Sequence, residues 1–291
     1  MSSLATLENA TIKDIERELM RLRDSMGDEG PRQRTRVMNH VAWVPDRWAG
    51  AALETLAGLE HRHPSRGILL FPHPDDECDA IDAAVDLRCF ARGKEGPICS
   101  EVIELHLRGA RAAAPASVVE PLLTADLPDF LRWRGDLPFG ESELEQLVGV
   151  ADRLVVDSRE WREPEAAFAR LPELFERVMV SDIAWARTEP WREAIAGLWP
   201  GIRDASGLRV AGPRAEALLL TGWLGARLER PFELDHEPAG EVELVEVDGE
   251  AAVLGRSEPK SASDLLSDQL DIFWRDPIYE EAVRSFSPVR I

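Results

Sequence analysis

The amino-acid sequence predicts an α/β fold, with a mixed, mostly parallel sheet flanked by helices in an N-terminal domain and a smaller α+β C-terminal domain. Residues 98–158 carry this prediction, because strand-like and helical patterns alternate along them. In chain order the alternating segments are strand Ser100–Leu107, helix Ala112–Ala125, strand Asp129–Arg134, helix Ser142–Val150 and strand Arg153–Val156. Such alternation builds parallel sheets. The nearly continuous apolar run of the last strand is typical of a strand covered on both faces.

The chain before this stretch predicts a helix and further strands. Apolar residues recur at helical spacing over Thr11–Met26, so we expect residues 1–34 to form an N-terminal helix packed on the first domain. The next segments form a candidate βαβ unit: strand Thr35–Val44, helix Ala49–Leu59 with Asp46 as its N-cap, and strand Gly67–Phe71. Ala83–Arg92 and Ile98–Leu107 are predicted to pair as an antiparallel hairpin, which makes the sheet mixed.

The last part of the chain predicts a separate, helix-rich domain. We place the boundary near residues 160–165, which gives an α/β domain at 35–163 and an α+β domain at 164–291. Its predicted elements begin with a helical segment between Pro164 and Pro172 and a helix at Asp182–Leu198 that Pro190 kinks or divides. They continue with strand Leu208–Ala211, helix Ala215–Leu228, a hairpin in Glu241–Leu254 turning at Asp248-Gly249, helix Ser263–Phe273, and a short helix after Asp276-Pro277.

Composition narrows the classes of partner. The 291 residues are 44% hydrophobic, which suffices for a sizeable core, and carry a formal net charge of −20. A surface this negative repels nucleic acid and anionic membranes, so we predict neither as a partner. It suits a soluble protein or one that meets a basic partner. Nine tryptophans stand against one tyrosine, and we expect most in the core and two or three at a partner surface.

The cysteines and the N-terminus predict a cytoplasmic protein. Cys78, Cys89 and Cys99 form an odd, sparse set without a CxxC pair, which argues against a disulfide scaffold or a zinc site. The N-terminus lacks the basic start and apolar core of a secretory signal. No window approaches the ~20 apolar residues of a membrane span. We therefore expect cytoplasmic localisation with reduced, buried and inert thiols.

One motif suggests metal chemistry. His73 to Glu77 reads HPDDE after a strand, and resembles the zinc motif of the LmbE-type N-acetylglucosamine deacetylases. In such a site, three N/O ligands leave an open position at which zinc activates water. A glycine-rich turn does not follow here, and the nearest distal element, Leu234-Asp235-His236, lacks the first histidine of an HxDH pattern. We interpret HPDDE as a solvated acidic loop and keep a zinc-dependent deacetylase as the alternative.

Other catalytic signatures are missing from the sequence. It contains no P-loop lysine, no GxGxxG and no GxSxG elbow. Asp157-Ser158 follows a predicted strand, at a position where α/β sheets bind ligands, although the same residues could cap a helix. The sequence therefore predicts no catalytic residues, no metal site and no cofactor.

An ordered set of segments carries a family resemblance over roughly residues 35–285. The segments are Thr35–Asn39, His63–Arg66, Val118–Pro128, Ala151–Ser158, Ala184–Arg187, Pro190–Arg192, Ala217–Leu224 and Asp276–Ala282. Together they resemble the glucose-6-phosphate dehydrogenase assembly protein family, OpcA. The resemblance implies a non-enzymatic protein that binds glucose-6-phosphate dehydrogenase as an assembly factor or allosteric activator. It would thereby support the oxidative pentose phosphate pathway and NADPH production.

The resemblance also suggests partner-binding residues. They are the polar and aromatic groups of family-like loops and helix ends: Arg36, Asn39, His63, Arg66, Trp133, Asp157, Arg187, Trp191 and Arg192. For each residue the alternative is a structural role, either as an arginine paired inside an acidic fold or as a tryptophan in the core. Neither the oligomeric state nor the contact surface follows from the sequence.

Overall fold

A computed structural model describes residues 4–25, 37–59, 62–91, 97–255 and 260–286. Strands within these residues are β1 (Ala5–Leu7), β2 (Met38–Trp43), β3 (Ser65–His73), β4 (Ile81–Ala91), β5 (Pro97–Arg108), β6 (Asp129–Trp133), β7 (Arg153–Val156), β8 (Met179–Asp182), β9 (Gly207–Gly212), β10 (Glu233–Pro238), β11 (Leu244–Val247) and β12 (Glu250–Ala251). The α-helices are α1 (Ile12–Ser25), α2 (Ala49–Leu59), α3 (Pro115–Val119), α4 (Ser142–Val150), α5 (Pro164–Arg170), α6 (Pro172–Phe175), α7 (Ile183–Arg187), α8 (Glu189–Ala196), α9 (Arg214–Leu228), α10 (Ala262–Leu270) and α11 (Pro277–Arg284).

The chain divides into two compact units, neither of which is one continuous segment. The first comprises residues 1–134, 138–155 and 262–271, and the second comprises 135–137, 156–261 and 272–291. Helix α10 therefore belongs to the first unit although it follows most of the second in sequence. The predicted domain limits, with an N-terminal helix at 1–34 and domains at 35–163 and 164–291, stay a prediction.

The sheet of the first unit is mixed and mostly parallel. Its strands run in the order β1-β4-β5-β3-β2-β6-β7. The pairs β5–β3, β3–β2, β2–β6 and β6–β7 are parallel, and β1–β4 and β4–β5 are antiparallel. The four residues of β7 are all buried, as the apolar run predicts. The predicted hairpin corresponds to the β4–β5 pair, and the predicted fold class is confirmed.

Two elements of the first unit differ from their predictions. The helix expected over Ala112–Ala125 is shorter, because α3 ends at Val119 and continues only as the 3₁₀ turn Glu120–Leu122. Pro121 cannot donate the backbone hydrogen bond that a longer α-helix requires. Asp46 is not the N-cap of α2, since it begins the 3₁₀ turn Asp46–Trp48, which continues directly into α2.

The expectation of reduced, buried cysteines is also wrong. Cys89 and Cys99 face each other in the β4–β5 register and form a disulfide with Cα atoms 4.0 Å apart. Directly opposed residues of antiparallel strands lie within bridging distance, so the hairpin itself brings these sulfur atoms together. Cys78 is free and exposed in the loop after β3.

The second unit contains a small sheet with a helical core. Its strand order is β10-β9-β11-β12, with β10 parallel to β9 and the other pairs antiparallel. The predicted turn between β11 and β12 is confirmed. Asp248 and Gly249 both have positive φ, 48° and 84°, as a two-residue hairpin turn of type I′ requires. The two buried valines of β11 pack with Leu220 and Leu224 of α9 in the core. No described helix combines the length and apolar character needed to cross a membrane.

Candidate functional site

Three large apolar side chains of the second unit are exposed within six positions of one another, two of them just before α11 and one in its first turn. Phe273 is 57% exposed, Trp274 67% and Ile278 39%. We refer to these three residues as the aromatic ridge. The sequence predicted Phe273 as the end of a helix, but α10 ends at Leu270 and the ridge aromatics lie in irregular chain. Two adjacent aromatics separated by one residue from an Asp-Pro helix start are the sequence signal that could have identified this surface.

The chain beneath the ridge is held in place by hydrogen bonds. Asp276 caps α11, because its Oδ1 accepts from the backbone N–H groups of Ile278 and Tyr279, each at 3.0 Å. Its Oδ2 accepts from the indole Nε1 of Trp185 at 2.8 Å. Arg275 donates to the carbonyl of Phe175 and contacts Glu280. Both residues between Trp274 and Pro277 are therefore anchored by their side chains.

The tryptophan that binds Asp276 also supports a predicted site residue. Arg192 places its guanidinium carbon 3.5 Å from the ring centroid of Trp185, and its Nε donates to Thr188 Oγ1 at 3.2 Å. Thr188 separates α7 from α8, two residues before Pro190, at which the sequence predicted the kink or division of this helical region. Burial lowers the pKa of Arg192, while the carboxylates of Asp276, Glu189 and Glu193 oppose that shift.

A buried polar centre adjoins the same helix, α7. Asp157, which follows β7, receives two hydrogen bonds from Arg187, at 2.7 and 2.9 Å. Asp182, at the end of β8, accepts from the backbone N–H groups of Ser158 at 3.0 Å and Ala184 at 2.9 Å. Paired, bidentate geometry is what allows a carboxylate and a guanidinium to be buried together.

This polar centre reaches the ridge through Tyr279. The hydroxyl of Tyr279 donates to Asp182 Oδ2 at 3.3 Å, and the ring packs beside Trp185 and Phe175. Burial raises the pKa of Asp182 to about 7, and the nearby charge of Asp157 adds to the shift. The predicted residues Asp157, Arg187 and Arg192 thus belong to one network that supports α11 and the ridge.

Trp191 lies apart from that network, in the core of the second unit. It is buried on α8 and belongs to the same apolar cluster as Ile195 and Leu208. A direct contact between this indole and a partner would require the core to open.

Asn39 and Arg66, two predicted residues of the first unit, bind side chains and backbone of neighbouring elements. Asn39 is buried on β2, where its amide donates to the carbonyl of Thr124 and to Asp129 at 2.9 and 2.7 Å and accepts from the Thr124 N–H at 2.9 Å. Arg66 is buried on β3 and pairs with Glu101 at 2.9 Å and with Glu16 at 3.0 Å.

Trp133 and His63 are further predicted residues of the first unit, and both contact neighbouring side chains. Trp133 stacks on Trp43 with ring centroids 5.0 Å apart. His63 is buried, and its Nε2 lies 2.6 Å from the hydroxyl of Ser267 on α10. Burial lowers the pKa of His63. Arg36 lies outside the described residues. The partner-binding role of all nine residues stays a prediction.

The HPDDE motif is split between a strand and an exposed loop. His73 ends β3, and its Nε2 lies 2.9 Å from Nδ1 of His106, whereas Asp75 to Glu77 are exposed. No group of three potential metal ligands occurs among the residues that the structure describes. The distal histidine that the deacetylase alternative invoked, His236, lies on β10 with its Nε2 2.8 Å from the carbonyl of Gly212.

Two family models match the chain in succession. The model described as the glucose-6-phosphate dehydrogenase subunit N-terminal domain matches residues 57–173, and the model described as the C-terminal domain of that subunit matches residues 178–283. Together they span most of the chain. The chain belongs to the OpcA family. The matched region includes the aromatic ridge and the network beneath it, and the family resemblance read from the sequence is confirmed.

Relatives that carry the OpcA name occur in Nostoc punctiforme and Synechocystis. A protein of Nostoc punctiforme, provisionally named an OxPP cycle protein OpcA, is 31% identical over 58% of this chain and 38% of its own length. A Synechocystis relative with the same name is 26% identical over 67% of this chain and 43% of its own length. The chain thus spans about two fifths of the length of these relatives.

Proposed function

We propose that this OpcA-family protein is a non-enzymatic assembly factor and allosteric activator of glucose-6-phosphate dehydrogenase. The match of both family models, each described by that dehydrogenase, carries the proposal. The protein would act in the cytoplasm and support the oxidative pentose phosphate pathway and NADPH production. Its partner would be the dehydrogenase itself, with neither nucleic acid nor membrane involved.

Activation of this kind is a matter of differential binding. A protein that binds two conformations of an enzyme equally well leaves their populations unchanged. To raise the ratio of active to inactive enzyme tenfold, it must bind the active conformation more tightly by about 1.4 kcal/mol. A contact surface that is already held in one conformation loses less entropy on binding, and the chain around Asp276 is held by three hydrogen bonds.

The test uses the dehydrogenase from the same organism, with and without this protein. Initial rates would be measured over a range of glucose 6-phosphate concentrations, and the same mixtures would be separated by size-exclusion chromatography. We expect co-elution together with a higher kcat or a lower KM. A dehydrogenase whose kinetics and elution are unchanged at saturating concentrations of this protein would overturn the proposal.

A further inference from the structure

We propose that the aromatic ridge is the surface by which this protein docks on glucose-6-phosphate dehydrogenase, in an apolar groove with a basic rim. This inference rests on the function proposed above and adds to it the contact residues and the chemistry of the partner surface. Three observations carry it: the exposure of the ridge, the rigidity of its base, and the charge around it.

The exposure of the ridge is unusual for residues of this type. Phe273, Trp274 and Ile278 lie within six positions, and the described part of the chain contains six other large hydrophobic residues that are exposed. Four of those six are isolated along the chain, Leu4, Met20, Val37 and Trp199, and the other two, Val253 and Leu254, are adjacent and include no aromatic ring. Tryptophan and phenylalanine each bury roughly 150–250 Å² when covered. Tryptophan is also among the residues that most often dominate binding energy.

The base of the ridge is ordered before any partner binds. Asp276 accepts three hydrogen bonds, from two backbone N–H groups of α11 and from Trp185. Tyr279, one turn further on, is fully buried and bonded to Asp182. Because this chain already holds one conformation, docking would cost little further backbone entropy. Exposed aromatic rings on a pre-ordered segment are the arrangement expected of a binding anchor.

The charge around the ridge indicates what the partner groove carries. Beside Trp185, whose indole donates to Asp276, the guanidinium of Arg192 interacts with the carboxylates of Glu189, Glu193 and Asp276. Arg275, which follows Trp274, pairs with Glu280. These side chains together carry four formal negative and two formal positive charges, so their balance is negative, in a chain whose formal net charge is already −20. A groove rimmed by lysine or arginine would complement it, whereas an acidic or neutral groove would not. A second copy of this chain, being equally acidic, is a poorer occupant.

The test compares Trp274→Ala and Phe273→Ala with Trp199→Ala, which removes a tryptophan of similar exposure (56%) elsewhere in the second unit. Binding to the dehydrogenase would be measured by calorimetry and activation by steady-state kinetics, with circular dichroism and Tm as checks of folding. We expect Trp274→Ala to raise Kd at least about 30-fold and Trp199→Ala to change it less than about threefold. Ridge variants that bind and activate like wild type would overturn this inference and leave the proposed function standing.

Two further measurements separate the remaining outcomes. If wild-type protein itself neither binds nor activates, the proposed function fails together with its docking surface. If wild type alone elutes as a dimer and Trp274→Ala as a monomer, the ridge serves self-association and the inference is wrong. The basic rim is tested by the double variant E189Q/E193Q, which should reduce the rise of Kd with salt concentration. A salt dependence identical to wild type would overturn the basic groove.

Discussion

Asp182 is a buried carboxyl group whose ionisation costs stability. Its pKa is raised from 3.8 to about 7, because burial disfavours the charged form. Between these two values the unfolded chain releases the proton while the folded protein retains it. The contribution of Asp182 to the free energy of unfolding is therefore largest below about pH 4. This contribution falls by about 1.4 kcal/mol per pH unit as the pH rises towards 7.

The substitution Asp182→Asn isolates this effect. Asparagine cannot ionise, so the free energy of unfolding of the variant relative to wild type should rise steadily between pH 4 and 7 and then level off. Urea denaturation at four or five pH values would measure it. If the difference in unfolding free energy between wild type and variant stays constant over this range, the pKa of Asp182 is not raised. Asp157→Asn, which removes the charge bonded to Arg187, serves as a comparison at the same polar centre.

Arg66 tests whether a predicted partner-binding residue acts through the fold. Its guanidinium is buried and paired with Glu101, so Arg66→Leu leaves a buried carboxylate with one partner fewer, although Arg23 still contacts it. We expect a loss of about 3 kcal/mol of unfolding free energy. Thermal and urea denaturation measure it, and activation of the dehydrogenase per folded molecule should be unchanged. Unaltered stability combined with lost activation would instead make Arg66 a direct contact.

Residue type and position selected three members of this buried network, as candidate partner contacts, but did not show that they are buried. Asp157, Arg187 and Arg192 were selected from family-like segments, and the structure joins them below the ridge rather than on it. The same arginine can lie on a surface or be paired inside an acidic fold, and spacing alone does not distinguish the two. The ridge was missed because helical spacing was extended past Leu270 to Phe273.

At the scale of elements, long periodic segments and turn signals could be predicted. Helix α4 and strand β7 have the predicted bounds, and the type I′ turn at Asp248-Gly249 follows from its two residues. The short strands β1, β8 and β10 were not predicted. Edge strands of three to six residues are defined by the neighbour they pair with, which local sequence does not show. The family resemblance, not periodicity, supplied the proposed function.

The β4–β5 hairpin gives a prediction about its cross-link. The disulfide joins residues ten positions apart. Closing so short a loop lowers the conformational entropy of the unfolded chain only moderately. Loop-closure entropy gives an upper value of about 3 kcal/mol. We expect the double variant Cys89→Ser/Cys99→Ser to have a lower Tm than wild type and the same circular dichroism spectrum at ambient temperature.

Reduction provides the matched control for that variant. Dithiothreitol should lower the Tm of wild type to a similar extent and leave the double variant unaffected. Because Cys78 is free and exposed, Cys78→Ser should be used in both backgrounds to prevent disulfide exchange. A wild-type Tm that does not respond to full reduction would contradict a stabilising role for the cross-link.

At the scale of the whole molecule, the order of elements along the chain differs from their grouping into units. Helix α10 belongs to the first unit, where Ser263 donates to the carbonyl of Thr55 and Arg62 lies within ion-pair distance of Asp264 and Asp268. The sequence predicted two successive domains because the pattern of the chain changes after Val156, which placed the boundary near residues 160–165. A single boundary of this kind cannot reveal that a later helix returns to the first unit, since that depends on packing against α2.

A truncation experiment distinguishes the two descriptions. Fragment 1–163 contains the whole predicted α/β domain but lacks α10, so the face of α2 that packs on α10 would meet water. We expect this fragment to unfold at a lower urea concentration than a chain in which residues 260–272 are joined to it through a flexible glycine-serine linker. A third chain with Leu265, Leu266 and Leu270 of that segment changed to serine removes the buried side chains of α10 and should behave like 1–163. Equal midpoints for all three chains would favour two successive domains with the boundary near 160–165. A higher midpoint only for the chain with intact α10 would establish that the first unit is completed from the C-terminal part of the sequence.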